Sequence, residues 1–207
     1  PGIILLGNAL AGLQDLDNAV ELGQRVVQLE PERVGGYRNL GVMEALRGNA
    51  EFAEQAFTKA MALDSTSVKP ALALGDLHRA TGAFAKAEDA YKRALAIDAK
   101  NSTANQALAS LYIAWQRPKE AEPFLKTAAA TSTDADDTLA LADYYLAMGR
   151  RGDAKAVLTT LARGNEEAFV PATTRLAVIA YGSGQREQGH RLLDEAVVKA
   201  PTDVAAL

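Results

Sequence analysis

The chain has 207 residues, with 22 basic and 26 acidic side chains, and its net charge of −4 argues against a generic phosphate-backbone binder. Cysteine is absent, which excludes a disulfide scaffold, a thiol nucleophile and any thiolate-held metal. At 48% hydrophobic and 23% charged residues the composition is that of a folded chain, too apolar for disorder.

The opening, from Gly2 to Leu13, lacks the basic flank of a signal peptide and falls short of the ~20 apolar residues of a spanning helix, so no membrane insertion is expected. Within it, Leu6-Gly7 begins a series that marks successive first helices. Leu40-Gly41 and Leu74-Gly75 follow at spacings of 34, then Leu108-Ala109, Leu141-Ala142 and Leu176-Ala177 at 34, 33 and 35. Thirteen positions after the leucine of each pair, a small residue opens a second helix: Ala19, Ala53, Ala87, Ala121, Ala154 and Gly189. Four beyond stands a bulky side chain, Phe57, Tyr91, Leu125, Leu158 or Leu193, with Gly23 in its place in the first repeat. Turn residues separate the two helices: Gly48-Asn49, Gly82, Gln116-Arg117-Pro118, Gly149 and Gly184. Six repeats result, at about 1–33, 34–67, 68–101, 102–134, 135–169 and 170–203, with 204–207 opening a further helix. The pattern runs off both ends, so the native chain is expected to continue on each side.

The spacing has a physical meaning. A Leu beside Gly or Ala lets two helices cross closely, and a bulky residue such as Phe57 or Tyr91 then fills the gap to the next repeat. One helical hairpin cannot bury its apolar face alone, so neighbours stack and share a core. Pro123, inside the second helix of the fourth repeat, predicts a local bend.

Tyr37, Leu40, Gly41, Ala53, Phe57 and Ala60 in the second repeat, with Leu74, Gly75, Ala87, Tyr91 and Ala94 in the third, resemble the tetratricopeptide repeat signature. The resemblance covers essentially the whole chain. It implies an all-α, right-handed superhelical solenoid of six stacked helix-turn-helix units, in a fragment of a larger bacterial protein. The family also has a clamp variant that grips a partner's C-terminal carboxylate. Asn8, Asn39 and Lys69 match its positions, but Ile4 and Ala73 stand where a lysine and an arginine belong.

Chemistry is sparse. The two histidines, His78 and His190, are far apart in sequence, and no HExxH, P-loop, GxGxxG or GxSxG occurs, so no catalysis and no cofactor are expected. Asp134, Asp136 and Asp137 lack the spacing of a calcium loop and fit a helix N-terminus instead; no metal is expected. Glu44 and His78 hold one register site in consecutive repeats, where stacking should pair them and favour the charged imidazole. Trp115 is either buried filler against Pro118 or a partly exposed interface anchor.

The leading functional reading is a non-catalytic scaffold that binds another protein or a peptide segment in a groove lined by the first helices. The alternative is an assembly module of a bacterial export or exopolysaccharide system that self-associates through its ends as a homo-oligomer. Cytoplasm and periplasm both remain open, and no nucleic acid is expected. The exposed register sites give the expected groove: Asn8, Arg38, Val42, Lys69, Leu72, Asp76, Arg79, Gln106, Ser110, Ile113, Asp136, Leu139, Asp143, Leu146, Val178 and Tyr181. Its charge changes sign, from Arg38, Lys69 and Arg79 early to Asp136 and Asp143 late, with apolar patches between.

Overall fold

A computed structural model of the chain describes residues 9, 11, 12 and 15–199, and among them only helices and turns occur. The helices are α1 (Leu16–Leu29), α2 (Val34–Leu46), α3 (Ala50–Leu63), α4 (Val68–Ala80), α5 (Phe84–Ile97), α6 (Ser102–Ala114), α7 (Glu122–Thr131), α8 (Ala135–Ala147), α9 (Arg151–Gly164), α10 (Phe169–Gly182) and α11 (Arg186–Lys199). The described residues form two compact bodies, divided between Pro118 and Lys119. Within each, consecutive helices pack on one another in chain order, the all-α solenoid pattern of helical repeats.

The periodic residues form one buried stripe per helix. In α3 the stripe is Ala53, Ala56, Phe57 and Ala60, and in α5 it is Ala87, Ala90, Tyr91 and Ala94, the i, i+3, i+4, i+7 spacing of an amphipathic helix. The glycine of α2 explains the partner ring. A Cβ on Gly41 would lie 2.5 Å from Phe57 Cε1, and Gly75 stands against Tyr91 in the same way. Phe57 therefore covers the glycine of its own hairpin while also joining Leu74, Leu77 and Ala90 in one cluster. Gly23, buried in α1, serves a different approach: its Cβ would meet Leu40 and Met43 of α2 at 3.1 and 3.2 Å.

The hairpin turns share one geometry. Gly48, Gly82, Gly149 and Gly184 have φ between 73 and 88°, and Gln116 takes the same place at φ 59°. Around each, the next amide closes back on the helix: Asn49 N–H to Glu44 O, Ala83 N–H to His78 O and Arg117 N–H to Tyr112 O, all at 2.8 Å.

Two expectations fail. Pro123 bends no helix; the segment Pro118–Glu120 forms a 3-10 turn, and α7 starts late enough to place the proline in its first turn. There its missing N–H leaves no intrahelical bond unmade. Glu44 and His78 do not pair. Glu44 takes Arg47 at 3.1 Å and Asn49 at 3.0 Å, while His78 Nε2 lies 3.8 Å from Glu54 Oε1. Burial outweighs the Glu54 charge and holds the imidazole below its ordinary value, so the neutral form is favoured.

The Glu54–His78 contact is one member of a series. In the first body, Tyr112 Oη donates to Glu88 Oε1 at 2.7 Å, and Arg117 reaches Glu88 Oε2 at 3.3 Å while lying 4.9 Å from the Tyr112 ring. In the second, Tyr145 Oη donates to Glu122 at 3.4 Å and Arg150 pairs with Glu122 at 2.7 Å across the Tyr145 ring. Each clasp ties a second helix to the following first helix. His78 stands where the other two have tyrosine.

Candidate functional site

On the first body, α2 and α4 border an apolar trough of about 410 Å³. Val42, Ala45 and Leu46 form one side, Ala73, Leu77 and Ala80 the other, and Phe57 lines it as well. The residues at these sites are small or aliphatic, so two neighbouring first helices leave a furrow instead of interlocking ridges. Val42 is 43% exposed and Leu46 59%, an unusual amount of free aliphatic surface on adjacent helical turns.

Asp76 supplies a carboxylate on the trough wall. Tyr91 Oη donates to Asp76 Oδ1 at 2.7 Å, and Arg79 Nη2 stands 3.9 Å from the same oxygen. Burial first, and then the carboxylate it donates to, hold the Tyr91 phenol well above its ordinary value, so it remains a donor at any physiological pH. Arg79 is exposed, Arg38 is half-buried beside Asn39, and Lys69 is exposed at the start of α4. Arg38 and Lys69 thus stand four residues before the wall residues Val42 and Ala73 on the same two helices, and Arg79 stands beside Asp76.

Of the expected groove residues, the trough brings Val42 and Asp76 together, with Arg79 beside them. Leu72 is half-buried and packs against the Ala71, Ala94 and Ala104 cluster. On α6, Gln106 is half-buried, Ser110 is exposed and Ile113 is 44% exposed. Asn8 lies outside the described residues.

The second body departs further from expectation. Leu139 is only 6% exposed and belongs to the core, so it presents nothing to a partner. Tyr181 is half-buried: its ring sits where a Cβ on Gly189 would be, 2.7 Å from Cζ, and its hydroxyl meets His190 Nδ1 at 3.0 Å. Asp143 is exposed but accepts two hydrogen bonds from Arg175, at 2.7 and 2.8 Å, which neutralises most of the acidic end expected there. Asp136 and Val178 are exposed and Leu146 is half-buried. Trp115 is half-buried at the end of α6, 6.0 Å from the Phe84 ring and with the Arg117 guanidinium 4.4 Å over it.

Sequence reasoning missed Leu46 and Arg175. Leu46 was detectable, because the same register site holds Ala80, Ala114, Ala147 and Gly182 in the other repeats. Arg175 was detectable as an opposite charge 32 residues from Asp143, one first helix further on.

Two family models described as tetratricopeptide repeat match the chain, over residues 4–68 and 79–137. No curated protein matches it. Among solved structures, pilF of Pseudomonas aeruginosa is similar at 15% identity and a TM-score of 0.68, over 99% of this chain and 93% of that one. YrrB, described as a TPR protein with an unusual peptide-binding site, is similar at 19% identity and a TM-score of 0.63, over 90% and 96%. A thermophilic TPR protein of Thermus thermophilus is similar at 21% identity and a TM-score of 0.58, over 84% and 97%. At these identities the likeness concerns the fold.

Proposed function

The chain belongs to the tetratricopeptide repeat family, whose members generally bind other proteins or peptides without catalysis, and on that premise we propose that it is a non-catalytic scaffold whose anchor point is the α2–α4 trough. The six repeats at 1–33, 34–67, 68–101, 102–134, 135–169 and 170–203 are part of this reading. The observation that carries it is the pairing of the trough with exposed Val42 and Leu46. A partner segment would seat one bulky apolar side chain there and set an acidic residue toward Arg79, Arg38 or Lys69. The apolar contact supplies most of the affinity, and the charges set orientation and on-rate. YrrB supports the reading only as a similar fold whose description names a peptide-binding site.

The test is a display selection of random 12-residue segments on the immobilised protein, followed by binding measurements on two exposed variants. The selected segments are expected to share a bulky apolar residue next to Asp or Glu and to bind Leu46→Asp and Val42→Asp at least about tenfold more weakly, a loss of ~1.4 kcal/mol. Selected segments that bind both variants as well as the unmodified chain would overturn the proposal.

A further inference from the structure

The clasp series breaks at the last junction. Glu88 and Glu122, on second helices, accept from Tyr112 and Tyr145 of the following first helices, with Arg117 and Arg150 over the rings. The same three register sites on α9, on α10 and in the turn after it hold Lys155, Ala180 and Gln185. The ring is gone, and a cation stands in place of the carboxylate.

A pocket of about 280 Å³ opens at this junction, and Lys155, Ala180 and Gln185 all line it. Its apolar surface comes from Leu176, Ile179 and Leu192. Leu176 records the loss of the ring. Its counterparts Leu74, Leu108 and Leu141 are buried, and His78, Tyr112 and Tyr145 stand four residues after them. Leu176, four before Ala180, is only half-buried, as is Leu40, four before Glu44. In these five repeats the leucine is fully covered only where an aromatic ring stands one turn further on.

The lining charge is positive. Lys155 and Arg163 line the pocket, and among the described residues no carboxylate lines it and neither cation has an ion pair. The adjoining hollow, which shares Gln185 and Gln188, adds Arg186 and Arg191 against Glu187. The end of α10 and the start of α11 both meet the pocket and oppose one another, and Arg163 itself sits in the last turn of α9, so the side chains set the sign. The space falls below the roughly 300–1,000 Å³ that drug-sized ligands occupy and suits a single ring. An apolar slot lined by two cations fits a ring whose stem carries negative charge. At the other junctions the chain fills this slot with its own tyrosine, so the occupant that fits is a side chain of another protein. We propose that the pocket takes a phenylalanine or tyrosine side chain from an acidic segment of a partner protein, the ring over Ala180 and the flanking carboxylates toward Lys155 and Arg163. The site lies wholly on the second body, so it and the α2–α4 trough can fail independently.

The test uses the whole chain, labelled with ¹⁵N, and the acetylated, amidated pentapeptide Gly-Glu-Phe-Glu-Gly. Controls carry alanine in place of phenylalanine, or glutamine in place of both glutamates. The parent peptide is expected to shift the amides of Thr159, Ala180 and Gln188 to saturation, and each control to bind at least about tenfold more weakly. Lys155→Glu, an exchange at an exposed site that copies Glu88 and Glu122, should weaken binding by at least the same factor. Ala180→Tyr, which copies Tyr112 and Tyr145, should abolish it while Lys155 remains. Equal shifts from all three peptides, full binding by either variant, or shifts confined to Val42 and Leu46 of the trough would overturn the proposal. Saturation of the same amides by hydrocinnamate at the same concentration would overturn the protein-segment source in favour of a free aromatic acid.

Discussion

Gln116 holds the left-handed backbone conformation that Gly48, Gly82, Gly149 and Gly184 adopt at the corresponding turns. A side chain there is disfavoured by about 1–2 kcal/mol, while a glycine costs part of that in unfolded-state entropy. Gln116→Gly is therefore expected to stabilise the chain by about 0.5–1 kcal/mol, read from the urea midpoint at unchanged slope. Asp137→Ala should also stabilise, by about 1–3 kcal/mol, because it removes an unpaired buried oxygen at a site where Ala104 and Ala172 are already accommodated. His78 gives a pH signature. Its folded value lies below the ordinary 6.5, so the unfolded chain takes up the proton first as the pH falls. Stability is thus full above that value and declines below it, until the folded imidazole also protonates. Glu88 and Glu122 are lowered from 4.5 by their hydrogen bonds to Lys92 and Lys126, so their contributions are lost only further down. Below pH 6.5 the part of the decline that comes from the imidazole should be missing in His78→Tyr, which places a tyrosine where the Tyr112 clasp has one; an unchanged urea profile would place the sensitivity elsewhere.

The hairpins are held by glycine–aromatic pairs, and this is where an added methyl group has most effect. Gly41→Ala would force its Cβ within 2.5 Å of Phe57, and overpacking of that kind costs about 1–3 kcal/mol. Phe57→Leu should relieve part of that cost, so the double variant is expected to be less unstable than the sum of the singles. These pairs were legible in the sequence because they repeat: Gly41 and Phe57, like Gly75 and Tyr91, stand 16 residues apart. The helices and their turns were legible for the same reason. What a single register site does when its residue departs from the pattern was harder to read. Glu44 and His78 share a site, but the partner of His78 is set by Glu54 on the preceding second helix, part of the Glu54, Glu88, Glu122 series. Pro123 looked like a break, but the helix begins later and absorbs it. On the first body two of the outward register sites, Val42 and Asp76, line one trough. Leu139 and Tyr181 occupy nominally outward sites, yet one is buried in the core and the other is committed to Gly189 and His190. Outward register does not establish that a side chain is free.

The molecule carries a net charge of −4, so an acidic partner segment meets repulsion at long range and attraction only near Arg38, Lys69 and Arg79. With a Debye length of about 8 Å at physiological salt, the local cluster decides the encounter. Reversing Arg38 and Arg79 to glutamate should slow association of a selected segment and remove or invert its salt dependence, with a smaller change in dissociation, as read by stopped-flow fluorescence. Amide shift mapping locates the binding surface. A selected segment titrated into ¹⁵N-labelled protein should move the amides of Val42, Ala45 and Leu46 on α2 together with Ala73, Leu77 and Ala80 on α4, the two sides of one trough. Shifts confined to α3 and α5, or to the second body, would contradict it.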